Sequence, residues 1–344
     1  ISAAARMSEL GSVIVLEAEA ALAHHASGRS AALFEPRYGA PAVVGLSMAS
    51  EAYLRSVPGV LSPRGLLLVG KADGVEAFEH DLEAMAFDRI SVEEARGIVP
   101  VLNPETVVMA GYAAHAEDVD TDLLVQGFAR EAKGRGARVL TKARVTAIAK
   151  DGAGWRVDST AGSFTARVVV NAAGAWVDQV AALAGMRPLG FTPYRRSMAR
   201  IPAPGGHDVS KWPMMFGPGE DWYAKPDAGA LIVSPAEEHL MEPHDAWADD
   251  MVLAEGLARY EEMVTEPVTR LLASWAGLRT FAPDRVLVIG PDVREPSFFW
   301  LAGQGGYGFQ TSAAASRLAA DLIGDRAPEL EAGLVAQLAP ARFG

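Results

Sequence analysis

Hydrophobic positions along the chain fall into two patterns, and their alternation predicts an α/β protein. Short unbroken apolar runs rich in β-branched residues, at 13–16 and 168–170, read as strands buried on both faces, and 298–301 reads as a further buried strand. Segments of helical period surround them: 1–10, stopped by Gly11; 41–57; two charged helices ahead of Pro100; 120–134, where Asp120 or Thr121 offers an N-cap and Gly134 and Gly136 a stop; and an alanine-rich helix from about Thr311. Strands are also expected at 61–70, 106–112 and 286–289. Residues 138–141, 145–149 and 155–159 read as a meander with Asp151-Gly152 as a turn. The character changes over 190–282, where alternating strands (194–201, 222–225, 230–234), aromatic residues and a helix at 246–263 predict a separate antiparallel sheet covering a substrate.

Three strand ends invite a ligand. The stretch 297–323 runs from a strand through Gly303, Gly305, Gly306 and Gly308 into a helix. Such a turn brings backbone N–H groups and a helix N-terminus to one spot, which makes either an anion site or simply a tight turn. Helix, glycine, strand and acid in 1–17 match the second half of a dinucleotide-binding βαβ unit. There Glu17 either takes the ribose hydroxyls of an adenosine or merely ends a strand. The pattern also predicts that the first strand of that unit and its GxGxxG lie outside the chain as given. Next comes a small, polar stretch in which Ser27, Arg29 and Ser30 are placed to meet a pyrophosphate or flavin carbonyls, whereas His24 and His25 lack partners at metal spacing and read as a solvated loop. The third end is the β-branched run entering Ala173-Gly174-Ala175-Trp176.

Composition narrows the function. At 344 residues, 50% hydrophobic and 22% charged, the chain fits a globular α/β protein of about two domains. A net charge of -12 with no basic cluster argues against nucleic acid. The absence of cysteine excludes disulfides, a thiolate nucleophile and a cysteine-linked cofactor, and no metal site is expected. No apolar run reaches membrane-spanning length, so a cytoplasmic location is the default.

Taken together, VIVLE (13–17), SGRSAA (27–32), VVVNAAGAW (168–176), WAGLR (275–279), PDRVLVIGP (283–291) and GQGGYGFQTS (303–312) resemble the FAD-dependent D-amino acid oxidase superfamily, nearest to D-arginine dehydrogenase-type D-amino acid dehydrogenases. The resemblance implies a Rossmann-like FAD-binding domain (1–50, 120–190 and 285–344) interleaved with an antiparallel-sheet substrate domain (51–119 and 191–284). It places Glu17 and Ala18 at the adenosine ribose, and Ser27, Gly28, Arg29, Ser30, Ala31, Ala32 and Leu33 along the pyrophosphate and flavin. Val145 would meet the adenine. Ala173, Gly174 and Trp176 would lie beside the dinucleotide, and Gly305, Gly306, Tyr307, Gly308, Phe309 and Gln310 against the flavin ring. FAD would be held non-covalently. On the substrate side Arg279 matches the arginine that clamps a carboxylate, with Arg196 second, and Tyr223 and Tyr38 match tyrosines over the substrate. Either arginine otherwise makes an ordinary salt bridge. Two departures, Leu66 in place of an acid and Leu33 in place of a histidine, imply apolar or aromatic amino acids over arginine.

The implied activity is oxidative deamination of a D-amino acid to a 2-oxo acid and ammonia. The sequence leaves open oxygen or a quinone-type acceptor. It also leaves open a sibling enzyme acting on sarcosine-like secondary amines or 2-hydroxy acids, and a flavin-deficient scaffold.

Overall fold

The computed structural model describes residues 1–344. Short apolar runs form the expected strands, in two separate groups, but of the three only Phe298–Ala302 is fully buried; Ile14 is exposed and Val15, Leu16, Val169 and Val170 are half-buried, so the burial on both faces expected at 13–16 and 168–170 is not realised. Ile14–Leu16 pairs in parallel with Arg138–Leu140, while Val169–Asn171 pairs in parallel with Phe298–Ala302, which pairs antiparallel with Val288–Pro291. Residues 138–141 therefore do not belong to the meander, which consists of Val145–Asp151, Gly154–Ser159 and Gly162–Ala166. Alternation within four residues does not distinguish a parallel partner of Ile14–Leu16 from a further meander strand.

The helix Ser2–Met7 packs between Thr121–Gly134 and Gly308–Ile323. Gly308–Ile323 also lies against Pro41–Ser56, an approach allowed by its run of small buried residues, Ala313 to Ala315 and Ala319 to Ala320. Leu46, Leu287, Ile289, Phe299, Leu301 and Leu318 close this core. The helix begins at Gly308, three residues before the expected start, so that the last glycine of the loop is its first residue.

The largest sheet has nine strands. In order they are His239–Leu240, Thr192–Pro202, Ala230–Ser234, Tyr223–Asp227, Met214–Phe216, Leu66–Gly70, Met109–Ala113 and Asp88–Ile90, with Ala273–Phe281 also pairing Thr192–Pro202. It is mixed rather than wholly antiparallel, because Met214–Phe216 runs parallel to Leu66–Gly70. The single strand expected over 61–70 is two. Leu61–Pro63 joins a small sheet with Glu117–Val119 and Leu33–Phe34, and the chain then bends at Gly65, with φ 75°, into the nine-stranded sheet. The strand expected over 106–112 occupies Met109–Ala113, and the helix expected over 246–263 starts at Asp250, because the Asp249 side chain accepts from the N–H groups of Met251 and Val252. No helix is long and apolar enough to cross a membrane.

Candidate active site

The adjacent strands Thr192–Pro202 and Ala273–Phe281 pair Tyr194 with Arg279 and Arg196 with Gly277. Residues two apart on a strand share a face, so the two arginines project from one side of the sheet as diagonal neighbours. A third element meets them. The turn 217–221 delivers Glu220, whose Oε1 accepts from Nη1 of Arg196 at 2.9 Å and lies 3.7 Å from Nη1 of Arg279. Its Oε2 accepts from the hydroxyl of Tyr38. Both Gly219 (φ 70°) and Glu220 (φ 55°) are in the left-handed region, a conformation that a non-glycine residue holds only when its surroundings impose it.

Around this group stand Tyr38 and Tyr307, their ring centroids 5.2 Å apart, and Phe281, 6.3 Å from Tyr307. Burial drives the Tyr38 hydroxyl well above its ordinary pKa, and Glu220 adds to the effect; Tyr307 is raised for the same two reasons. Burial also acts to raise Glu220, but the guanidinium groups of Arg279 and Arg196 outweigh it and hold the carboxyl below the usual value. For Arg279, burial disfavours the charge. The hydroxyls of Tyr223 and Tyr38 and the Glu220 carboxylate more than offset that, leaving it above the ordinary guanidinium range. The nearest carboxylate lies beyond hydrogen-bond reach, so the fork of Arg279 is unspent. Tyr223 is different: its hydroxyl faces Sδ of Met198 at 3.4 Å in a buried cluster with Leu66, Phe216 and Ile232, and its ring lies 6.0 Å from the Arg196 guanidinium.

The glycine loop touches the same arginine. A Cβ on Gly306 would lie 3.0 Å from Cζ of Arg279, and one on Gly305, whose φ is 52°, would lie 2.3 Å from Cε1 of Phe281. No side chain larger than hydrogen fits at Gly305. Gly306 is exposed, and the helix that follows at Gly308 has no side-chain cap, so no side chain satisfies its first N–H groups. Those two features suit a planar acceptor that gains negative charge. Phe309 is half-buried, packed against the cluster that contains Phe34. Gln310 is buried and ties the 35–38 segment, accepting from the N–H of Glu35 and donating to the carbonyl of Tyr38, both at 3.4 Å. Its side chain holds the loop beneath Tyr38 rather than lying against a ring.

Lys225, from Tyr223–Asp227, donates to the carbonyls of Ala31 and Ala32 and pairs with Asp118 at 2.8 Å. It fixes Ala32 in its left-handed conformation, φ 52°, just before Leu33.

The strand-end residues are partly free. Glu17 and Ala18 are half-buried at the end of Ile14–Leu16, and Glu17 accepts from the N–H of Glu19 at 2.9 Å. Ser27, Gly28 and Ser30 are exposed, with Gly28 forced by the Ala23 carbonyl, which would sit 2.2 Å from a Cβ. Arg29 departs from its expected role at a pyrophosphate. Its guanidinium donates to the carbonyls of Ala246 and Ala276, each at 2.8 Å, and to Asp245, because the 242–248 segment folds over it. Val145 opens the edge strand of the meander, and Ala173, Gly174 (φ 57°) and Trp176 line the turn after Val169–Asn171. The histidines do have partners in space. His25 lies 3.2 Å from Glu19 and 3.6 Å from Asp245, and His24 3.7 Å from Asp245. Asp245 is 220 positions from His25, so local spacing carried no signal of it.

Sequence reasoning did not single out Glu220 or Lys225. Gly217 and Gly219 signal only a turn there, and only the fold brings that turn to the arginines.

A family model described as FAD dependent oxidoreductase (DAO) matches residues 1–322. The chain belongs to this family. It is thus an FAD-dependent oxidoreductase, and the exposed loop, uncapped helix and half-buried strand-end acid are compatible with a bound dinucleotide. Among its relatives, FAD-dependent oxidoreductase domain-containing protein 1 of Bos taurus is 23% identical over 90% of this chain and 75% of its own length. D-amino acid dehydrogenase of Sinorhizobium medicae is 41% identical over 20% of this chain and 16% of its own. The solved structure of L-proline dehydrogenase from P. horikoshii superimposes with a TM-score of 0.83 at 21% identity, covering 99% of this chain and 94% of that one.

Proposed function

We propose that this oxidoreductase deaminates amino acids to 2-oxo acids and ammonia, acting on D-amino acids with apolar or aromatic side chains. The observation that carries the reading is Arg279, an unspent guanidinium against the exposed Gly306 and ringed by tyrosines. A planar fork of donors in a partly desolvated site suits a carboxylate held in two places. FAD, held by the residues named below, would supply a two-electron acceptor for the Cα–H hydride; the substrate amine gives up one proton to solvent as the C=N bond forms, and water then converts the imine to the 2-oxo acid and ammonia. Residues 51–119 and 191–284 would form the substrate side and the remainder the cofactor side. Glu17, Ala18, the 27–33 stretch, Val145, the 173–176 turn and the glycine loop would hold the dinucleotide, with Arg29 and Gln310 serving to fix neighbouring segments.

The protein's part is orientation. Arg279 anchors the carboxylate, Tyr38 and Tyr307 cover the site, and Gly305 and Gly306 leave room for close approach. The apolar cluster of Leu66, Leu68, Met198, Phe216 and Tyr223, with Tyr38 and Leu33 packed against it, supports an apolar side chain. The short D-amino acid dehydrogenase match favours the D-series.

The test is anaerobic bleaching of the flavin band with D-phenylalanine, D-methionine, D-arginine, their L-enantiomers, sarcosine and a 2-hydroxy acid. D-phenylalanine or D-methionine should bleach fastest. A panel led by D-arginine would defeat the side-chain preference, and one led by sarcosine or the hydroxy acid would defeat the substrate class.

A further inference from the structure

Arg279 lacks a hydrogen-bonded counter-ion. Arg285 pairs with Glu238 at 2.6 Å, and Arg196 pairs with Glu220 at 2.9 Å, its other Nη 3.6 Å from Glu238. Of these three guanidinium groups Arg279 is the one with no carboxylate within hydrogen-bond distance, which leaves it open to an incoming anion. A substrate carboxylate can pair with it without expelling Glu220.

We propose that Glu220 recognises the substrate's amino group, selecting carboxylates that carry an α-amine over 2-hydroxy acids and plain carboxylates. This rests on the amino-acid reading above and deepens it. A carboxylate offers about four lone-pair sites. Glu220 uses one for Arg196 and one for Tyr38, and Oε1 faces the gap toward Arg279. An α-amino acid whose carboxylate sits on Arg279 carries its nitrogen on the adjoining carbon, beside that gap. An ammonium there makes a charge-assisted bond, a hydroxyl a weaker neutral one, and a methylene none. The hydroxyls of Tyr38 and Tyr223 do not compete for this role, since Tyr38 donates to Glu220 itself and Tyr223 faces Met198, and the remaining site hydroxyl, that of Tyr307, is neutral and offers an ammonium no opposite charge. The backbone places the group deliberately. Gly219 donates to Asp81 at 2.7 Å, Glu220 donates its own N–H to the carbonyl of Gly217 at 3.0 Å, and the left-handed Glu220 is held against both Arg196 and Tyr38.

The test compares binding of α-methylphenylalanine, which has no Cα hydrogen to lose, with 2-methyl-3-phenylpropanoate, the same skeleton without the amine. Isothermal titration calorimetry on the FAD-loaded protein reads both, in wild type, Glu220→Gln and Glu220→Asp. Wild type should prefer the amine-bearing ligand, and Glu220→Gln should cut that preference at least tenfold while binding the plain carboxylate as tightly or more so. Glu220→Asp, which keeps the charge, should retain part of the preference, and it stands in if Glu220→Gln does not fold. Equal weakening of both ligands in Glu220→Gln would overturn the proposal and make Glu220 a brace for Arg196 and Tyr38. Equal tightening would overturn it too, making Glu220 a plug that competes with the carboxylate. If wild type binds neither ligand, or if Arg279→Ala leaves both affinities intact, the amino-acid reading itself fails, and the inference with it. That pattern is distinct from a lost preference.

Discussion

Arg279 and Glu220 are bound to each other's chemistry without being hydrogen-bonded partners, and the separation of 3.7 Å is what leaves the arginine available. Truncating a partly buried charge that pairs with a ligand costs about 2–5 kcal/mol, so Arg279→Ala should lower kcat/KM by about 30- to 5,000-fold. Arg279→Lys should recover only part of that, because an ammonium keeps the charge but loses the fork; steady-state kinetics on the best substrate measures both. Glu220 also has a signature in stability. Its carboxyl is held below the ordinary 4.5 in the folded protein, so folding favours the charged form. The resulting stabilisation is present above pH 4.5 and is lost as pH falls through the lowered value. Denaturant unfolding of wild type against Glu220→Gln should therefore show the wild type losing ground relative to the variant as pH falls from 4.5 through the lowered value.

At the scale of elements, the strand Phe298–Ala302, the glycine loop and the helix Gly308–Ile323 act as one unit. The loop is narrow because Phe281 fills the space over Gly305 and Arg279 fills the space over Gly306. Adding a methyl at Gly305 meets a backbone of φ 52° and an aromatic carbon 2.3 Å away. Gly305→Ala should destabilise the protein by about 1–3 kcal/mol and, by moving Phe281 and the loop, reduce the flavin retained on gel filtration. Thermal unfolding and the flavin-to-protein absorbance ratio report the two effects. The same unit explains why the helix begins at Gly308. With no side chain to cap it, the first turn is left to whatever lies outside the loop.

At the scale of the molecule, Lys225 ties the nine-stranded sheet to the segment that runs through Ala31 and Ala32, and it pairs there with Asp118 of the small sheet. Burial lowers its pKa, and Asp118 works against that shift. Replacing it with methionine leaves the carbonyls of Ala31 and Ala32 without their donor and Asp118 with Arg64 as its one remaining cation. Lys225→Met should cost on the order of 3 kcal/mol, measured by denaturant unfolding, and should speed flavin release more than a surface lysine change such as Lys211→Met.

The sequence by itself determined the local structure and the list of parts. Apolar runs located the strands within a few residues, though not their burial, since Ile14–Leu16 is exposed to half-buried; glycines marked the loop at 303–308, and the ordered motifs named the family and nominated Arg279, Arg196, Tyr38 and the glycine loop. Those features are carried by neighbouring residues, whose periodicity and backbone freedom are legible along the chain. Tertiary structure decided which parts meet. It sent Arg138–Leu140 to Ile14–Leu16 instead of to the meander, turned Arg29 toward Ala246 and Ala276, and gave His25 and His24 a distant Asp245. It also carried Glu220 from an unremarked turn to the arginines 24 and 59 positions away. The physical reason is that pairing register and charge partners over such separations depend on how whole sheets stack, which no local pattern encodes. The glycine turn at 303–308 was legible as a place for something electron-rich; that Arg279 lies across it, with Glu220 opposite, belongs to the fold.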